Sequence, residues 1–445
     1  MKKVLAIGLC LAAASVACDS GRFAEPDSQG RLLHAPNKSS RTAYGVSPGS
    51  QYGIVFQGDS LNTNANKVRA AQFLFAGGVR FARVTAYWYS LQQFGDNTFT
   101  SWELQPFHES IRALIDAGIT PYITLEASAC FAVSETFPCA SPYNPPDNEA
   151  HWQAWTTYVQ QMMQEFPQVH YWGIWNEPNS AFLLPNGGDR LAAYKELVQR
   201  AAPAIHAAGG IVIGPDLGDG LDSTNGLSAH QWLTNFMSSH GSYVDVVAVH
   251  HYSGLGTLSA DMRFYADLLA GSGKDLWLTE VAIGDTTAGE SARAQDLAGV
   301  YRLFNSGAIP VWSKTFYFNA GSLVHDFGIV ENLGTPSQRP RAAYDSLQAI
   351  ASQPPATLGI SLGGPFSVTA YEQMTWGATA HGGQPPYTYV WRVANTEMQR
   401  GPYGSFAYTN EGVDFLVNGS VVDALGRVDG SSIGVTVQWC SAPCS

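Results

Sequence analysis

The chain has 445 residues, of which 45% are hydrophobic and 13% are charged. This length suits a barrel of about 250 to 300 residues together with a smaller module. The formal net charge of −12 argues against phosphate-rich partners. Nucleic acid is therefore excluded as an expected ligand.

The N-terminus has the pattern of an export signal. Lys2 and Lys3 precede an apolar run over 4–17. That run is shorter than the roughly 20 residues that span a bilayer, but it is typical of a signal peptide. We therefore predict a signal peptide over 1–17 and an exported protein, either a cell-envelope lipoprotein or a secreted one.

Two processing routes fit the end of this segment. Ser15, Val16 and Ala17 form a small-residue cleavage site, whereas Val16, Ala17 and Cys18 resemble a lipobox in which Ser15 replaces the usual larger aliphatic residue. Residues 18–45 are polar and aperiodic, which predicts a flexible tether. Contact with a membrane is expected only through a lipid on Cys18.

The cysteine count favours lipidation. Cys10 leaves with the signal, and Cys18 has no neighbouring cysteine. The other four form two near pairs, which predict two disulfides: Cys130 with Cys139, and Cys440 with Cys444. A lipid on Cys18 accounts for the cysteine that is left over.

From residue 46, short strand-like runs alternate with longer amphipathic runs. Eight runs have strand character: 52–57, 79–87, 120–126, 169–177, 211–216, 244–251, 276–282 and 310–318. The helical runs are 66–76, 107–117, 149–165, 190–208, 260–270, 291–305 and 341–352. This alternation predicts an α/β fold, a closed (β/α)8 TIM barrel over 46–352, with a doubly wound open sheet as the alternative.

The pattern changes after Ser352. Helical periodicity ends, and short alternating runs appear at 366–370, 387–394, 406–409 and 433–439. Segments 382–391 and 421–426 resemble parts of bacterial Ig-like and PKD-like repeats, and a buried Trp391 suits such a sandwich. We predict a small all-β Ig-like domain over 353–445.

Two glutamates follow strand-like runs. Glu177 lies in Trp175-Asn176-Glu177-Pro178, and Glu280 follows Leu276-Trp277-Leu278-Thr279. Parallel barrels place catalysis at the carboxyl ends of their strands. Two carboxylates there predict hydrolysis of a glycosidic bond, although Asn-Glu-Pro and Thr-Glu also suit the start of a helix.

Asn-Glu-Pro on the fourth strand and a glutamate on the seventh resemble clan A of the retaining glycoside hydrolases, with families 39 and 5 as the comparable members. The resemblance covers roughly 46–352 and implies that Glu177 is the general acid/base and Glu280 the nucleophile. It also implies that Asn176 binds the sugar 2-hydroxyl. Arg83 on strand two resembles the arginine beside the nucleophile.

The motif His250-His251-Tyr252 resembles a His-x-Tyr in which the tyrosine orients the nucleophile and the first histidine lines the sugar site. Trp88 is expected to reach the cleft, and Tyr317 or Phe318 to replace the tryptophan that the clan often carries on strand eight. Many family 5 members have a histidine near the end of strand three, where this chain has Glu126.

We therefore expect a retaining glycosidase that acts on a β-linked polysaccharide or oligosaccharide, without a cofactor or metal and as a monomer. The paired histidines have no further His or Cys at the ligand spacing of zinc. A non-catalytic polysaccharide-binding protein and a transglycosylase that uses the same residues are the alternatives. The sugar and the choice between internal and terminal cleavage stay open, because loop shape decides them.

Overall fold

The computed structural model describes residues 51–95, 97–134, 141–282, 289–309, 311–321, 327–352, 358–370, 373–383, 387–393, 396–407, 414–423 and 426–438. The predicted signal peptide over 1–17 and tether over 18–45 lie outside these ranges, as do Cys18, Cys139, Cys440 and Cys444. Cys130 is the one cysteine inside them and is half-buried. The lipid and the two disulfides stay predictions.

Eight parallel strands close into a barrel in chain order. This confirms the predicted barrel and excludes the alternative of a doubly wound open sheet. The strands are β1 (Tyr52–Val55), β2 (Phe81–Tyr87), β3 (Thr120–Glu126), β4 (Tyr171–Ile174), β5 (Ile211–Leu217), β6 (Val246–His251), β7 (Asp275–Val281) and β8 (Trp312–Tyr317). β8 pairs with β1 and so closes the ring. All eight carboxyl ends thus meet at one face.

Helices link the strands and surround them. They are α1 (Asn64–Ala76), α2 (Trp88–Leu91), α3 (Ser101–Asp116), α4 (Glu149–Glu165), α5 (Arg190–Ala207), α6 (Ala229–His240), α7 (Leu255–Leu268), α8 (Glu290–Asn305) and α9 (Ala342–Ala351). The side chains of Thr63, Asn148, Asp189 and Ser228 cap α1, α4, α5 and α6. Within the described ranges, no helix has the length and apolarity to cross a bilayer.

Aromatic side chains fill the lower half of the barrel. Phe81, Tyr122, Trp277 and Phe316 are buried in one cluster, with Lys314 Nζ 4.9 Å from the centre of the Phe81 ring. Burial lowers the pKa of Lys314 to about 8. The half of the barrel near the amino ends of the strands is therefore a packed core, and a ligand can bind only at the carboxyl ends.

The C-terminal region contains two sheets that share one buried cluster, which includes Trp391 as predicted. The strands are β11 (Gly359–Gly363), β12 (Ser367–Thr369), β13 (Gln373–His381), β14 (Thr388–Val393), β15 (Thr396–Arg400), β16 (Tyr403–Ala407), β17 (Phe415–Val422) and β18 (Val428–Gln438). The orders are β11-β13-β16 and β12-β18-β17-β14-β15. A short pair, β9 (Val330–Glu331) and β10 (Arg339–Pro340), precedes α9.

Most neighbours in these two sheets are antiparallel, for example β14 with β17 and β17 with β18. The all-β character is therefore as predicted. The Ig-like or PKD-like identity and the boundary between 352 and 353 stay predictions, and residues 353–357 lie outside the described ranges.

Candidate active site

A cavity of about 860 Å³ opens where the barrel strands end. This volume is within the usual range for a small-molecule site. Five of the residues predicted from sequence line it: Arg83, Asn176, Glu177, Tyr252 and Glu280. The fold therefore brings together side chains from β2, β7 and the segments that follow β4 and β6.

Glu280 lies near the end of β7 and is only 7% exposed. Its Oε1 accepts a hydrogen bond from Arg83 Nη1, and its Oε2 accepts one from the Tyr252 hydroxyl at 2.5 Å. Burial, and then the charge of Glu280, raise the pKa of Tyr252 far above its ordinary value, so the phenol remains a donor. A cation and a phenol thus fix this carboxylate and stabilise its charge.

Glu177 follows β4 and contacts a different group. Its Oε1 lies 2.9 Å from His250 Nδ1, and its backbone N–H donates to the Asp216 carbonyl at 3.0 Å. Glu177 has a φ of 41°, a left-handed conformation that is uncommon outside glycine and typical of functional turns. The turn directs this carboxyl into the cavity opposite Glu280.

His250 stands between the two glutamates and is fully buried. Its Nδ1 lies 2.9 Å from Glu177 Oε1 and 3.6 Å from Glu280 Oε2. Burial lowers the pKa of His250, but the Glu280 and Glu177 carboxylates more than offset this and raise it above its ordinary value. A carboxylate oxygen of Glu177 and one of Glu280 lie within 4.8 Å of each other.

Arg83 joins the nucleophile candidate to a second buried acid. Besides Glu280, its guanidinium contacts Asp216 Oδ2 at 3.2 Å, Asn176 Oδ1 at 2.7 Å and Thr124 Oγ1 at 3.1 Å. Burial lowers the pKa of Arg83, but the Asp216 and Glu280 carboxylates raise it well above its ordinary value. Arg83 therefore keeps its charge and fixes the Asn176 oxygen, which leaves the Asn176 amide nitrogen for a ligand.

Sequence reasoning missed Asp216, which is fully buried at the end of β5. The hydroxyls of Tyr122 and Thr279 both donate to it, the latter at 2.6 Å. Gly173 on β4 leaves room for this contact, because a Cβ there would lie 2.5 Å from the Tyr122 hydroxyl. Asp216 has a left-handed backbone conformation, with φ of 49°. The sequence does not reveal such a conformation at the end of a strand.

The loop after β5 links the segments that carry Glu177 and Tyr252. Asn179 donates to the Gly218 carbonyl at 2.8 Å and accepts from Gly218 N at 3.0 Å. Asp219 accepts from the backbone N–H groups of Tyr252 and Ser253 at 2.7 and 3.0 Å. The segments that carry Glu177 and Tyr252 are thereby fixed to one loop, through residues that the sequence analysis did not identify.

Two aromatic residues that were predicted to lie in the cleft are buried instead. Trp88 has no exposed surface, and its ring stacks on that of the buried Tyr158 on α4, with the ring centres 5.2 Å apart. Tyr317 is also fully buried, whereas Phe318, the other residue expected in the same role, lines the cavity. Trp172, Trp175 and Trp277 are core residues.

Glu177, His250 and Glu280 are also the types of group that bind metal ions, and their ligand atoms are close enough to do so. The Arg83 guanidinium already occupies one side of Glu280. Chemically, the site offers one carboxylate held by a cation and a phenol, and a second carboxyl held by an imidazole.

The comparisons agree with this chemistry. Residues 145–305 match the family model described as "Glycosyl hydrolase catalytic core", a segment that runs from before β4 to the end of α8 and contains both glutamates. No curated protein matches the chain. The model match, the barrel and the site support a glycosidase.

The barrel is similar to those of clan A glycoside hydrolases. A family 39 glycoside hydrolase from Bacteroides cellulosilyticus WH2 has a TM-score of 0.53 at 15% identity, over 81% of this chain and 79% of that one. A GH5_18 from Bifidobacterium longum subsp. infantis has 0.53 at 13% identity, over 72% and 82%.

A GH5_18 variant from Bifidobacterium longum subsp. longum, solved in complex with Manb1-4GlcNAc, has a TM-score of 0.52 at 12% identity, over 68% of this chain and 78% of that one. At these identities the three structures show that the fold is shared. The predicted fold resemblance to families 39 and 5 is thereby confirmed.

Proposed function

We propose that the protein is an exported retaining glycosidase that cleaves β-glycosidic bonds in an oligosaccharide or polysaccharide. The observation that carries the proposal is the unequal pair of glutamates in one cavity. Glu280 is held by Arg83 and Tyr252, and Glu177 by His250. Retaining glycosidases place the two carboxyl groups about 5 to 5.5 Å apart, whereas inverting ones separate them by about 6.5 to 9.5 Å. One carboxyl oxygen of Glu177 and one of Glu280 lie within 4.8 Å of each other, which supports the shorter separation and hence retention.

The steps follow from these contacts. Glu280 attacks the anomeric carbon as Glu177 gives its proton to the glycosidic oxygen, so the C–O bond breaks and the leaving sugar departs as an alcohol. Glu177, now ionised, takes a proton from water. The water oxygen attacks the anomeric carbon, and the Glu280 carboxylate is released with net retention.

The surrounding residues orient these two groups. Arg83 and Tyr252 hold both Glu280 oxygens, so that one rotamer of the carboxylate faces the cavity. His250 orients Glu177 and donates or accepts at Nδ1 as the charge of Glu177 changes. The Asn176 amide, fixed through its oxygen, is suited to a sugar hydroxyl beside the reacting carbon.

The test is reducing-sugar release from a panel of β-linked polysaccharides and 4-nitrophenyl β-glycosides by the wild type, Glu177→Gln and Glu280→Gln. Both variants are expected to lose activity, with Glu196→Gln on α5 as the matched control. Product formed by Glu280→Ala with azide should be the α-glycosyl azide, and that formed by Glu177→Ala the β-azide. Retention of sugar by the wild type without product would instead favour the polysaccharide-binding alternative.

We also propose export with a lipid on Cys18 and a spacer role for the C-terminal sheets. The N-terminal sequence pattern supports the first proposal. In cells fed labelled palmitate, the wild type should carry the label in the envelope fraction, and Cys18→Ala should not. Label on Cys18→Ala, or none on the wild type, would contradict lipidation.

A further inference from the structure

A third glutamate enters the cavity from β3. Successive side chains of a strand point to opposite faces, and on this strand Tyr122, Thr124 and Glu126 share the inward face. Tyr122 contacts Asp216 in the barrel core, and Thr124 accepts from Arg83 one layer higher. Glu126 is the last residue of the strand and lines the cavity, so it belongs to the layer that meets a ligand.

The carboxyl of Glu126 has no hydrogen-bond partner among the described residues, in contrast to the other acids here. Glu126 is 3% exposed. By contrast, the carboxyls of Asp216 and Glu280 each have two or more partners, and that of Glu177 has His250. A buried polar group without a partner is costly, and such groups in native proteins usually await a ligand or water. The position of Glu126 makes the ligand of the cavity its natural partner.

The surroundings keep this carboxyl protonated near neutral pH. Burial raises the pKa of Glu126 to about 8; Arg83 on β2 lowers it, and Glu280, Asp216 and Glu177 raise it further. Tyr143, which also lines the cavity, faces the same carboxyl. A protonated carboxyl has one O–H donor and one carbonyl acceptor, which matches a sugar hydroxyl.

We propose that Glu126 is a substrate-binding residue whose neutral carboxyl donates a hydrogen bond to a hydroxyl of an uncharged sugar in the central subsite. The proposal rests on the glycosidase function proposed above and narrows its substrate class. A uronic acid or a sulfated sugar would bring an anion next to Glu177 and Glu280. Neutral hexoses and pentoses avoid that repulsion.

The test compares Glu126→Gln and Glu126→Leu with the wild type and with Glu196→Gln as the control. The substrate is the 4-nitrophenyl β-glycoside that the wild type cleaves fastest, together with its monodeoxy analogues. Glutamine retains a donor and an acceptor, so kcat/KM should stay within about fivefold of the wild type. Leucine can form no hydrogen bond, so kcat/KM should fall by roughly 10- to 100-fold.

The monodeoxy analogues locate the contact. For the analogue that lacks the hydroxyl bound by Glu126, the wild type and Glu126→Leu should have the same kcat/KM, because the hydrogen bond is absent from both. The KM of the wild type should also rise above pH 8, and that of Glu126→Gln should not. A residue that only supports the fold would produce neither result.

Full activity of Glu126→Leu on the parent glycoside, or equal losses on every analogue, would overturn the proposal, as would a preference for a sugar that carries an amine or carboxylate. If the wild type cleaves no glycoside, the proposed function fails instead. Calorimetric binding of the same glycosides to the wild type and Glu126→Leu would then decide the role of Glu126 separately.

Discussion

Glu126→Gln is expected to make the folded protein more stable at alkaline pH. The pKa of Glu126 is 4.5 as an ordinary carboxyl and about 8 in the fold. Because the folded state binds this proton more tightly than the unfolded chain does, the contribution of Glu126 to stability is full below pH 4.5 and is lost as the pH rises through 8. Complete ionisation of Glu126 lowers the free energy of unfolding by about 5 kcal/mol, because each pH unit between 4.5 and 8 contributes about 1.36 kcal/mol.

Glutamine at this position does not ionise, so the variant lacks that loss. Between pH 5.5 and pH 9, the free energy of unfolding of Glu126→Gln, minus that of the wild type, should increase by about 3 kcal/mol. Urea titrations at a series of pH values measure this difference. Glu196→Gln, on the outer surface of α5, should show no such increase.

Equal pH slopes for the wild type and Glu126→Gln would refute the reasoning, because they would mean that the carboxyl ionises in the folded protein without cost. That result would also remove the neutral donor on which the proposed sugar contact depends. If the free energy of unfolding of the wild type falls more steeply with pH than that of Glu126→Gln, and only up to pH 8, the result would support both the raised pKa of Glu126 and its role as a neutral donor.

Three further changes test other parts of the molecule. Tyr252→Phe removes a hydrogen bond to the charged Glu280 and should lower kcat by roughly 10- to 100-fold with little change in urea stability; an unchanged kcat would contradict the orienting role. Gly173→Ala places a methyl group 2.5 Å from the Tyr122 hydroxyl and should lower the free energy of unfolding by about 1 to 3 kcal/mol, whereas a urea midpoint equal to that of the wild type would show that Tyr122 has room to move. Burial lowers the pKa of Lys314 to about 8, so the contribution of Lys314 to stability is present above pH 10.5 and is lost as the pH falls through 8. The stability gained by Lys314→Met should therefore be larger at pH 7 than at pH 10 by about 2 to 3 kcal/mol, and a pH-independent gain would contradict the burial of a charge.

Periodicity predicted the barrel well. β3 over Thr120–Glu126 and α4 over Glu149–Glu165 have the predicted bounds, because each has one uniform pattern with a clear start. The helix Ala229–His240 was not predicted, although Ser228 and Gln231 form a capping box at its start. The loop 218–228 separates this helix from β5, so the capping box is a local signal without a neighbouring periodic segment.

The meeting of Arg83, His250, Tyr252 and the two glutamates was predictable from strand ends alone, because parallel strands bring those ends to one face. The direction of a side chain beyond the end of a strand was not predictable from the sequence. Tyr317 and Phe318 are adjacent, yet only the second faces the cavity, since alternation assigns them to opposite faces and the register of a barrel strand is not visible in sequence. The partners of Asp216 come from β2, β3 and β7, and those of Asp219 from the segment after β6. Only the folded chain brings these residues together.

The sharing of Arg83 between two acids bears on enzyme engineering. If Glu280 is replaced by glycine, the guanidinium still has Asp216 at 3.2 Å and Asn176 at 2.7 Å, so its charge remains compensated and the site stays assembled. The space that Glu280 leaves would suit an α-glycosyl fluoride, and Glu177 would remain to activate an acceptor alcohol. Under the proposed retaining mechanism, a single substitution at Glu280 is therefore expected to give a glycosynthase, an enzyme that joins sugars and cannot hydrolyse them.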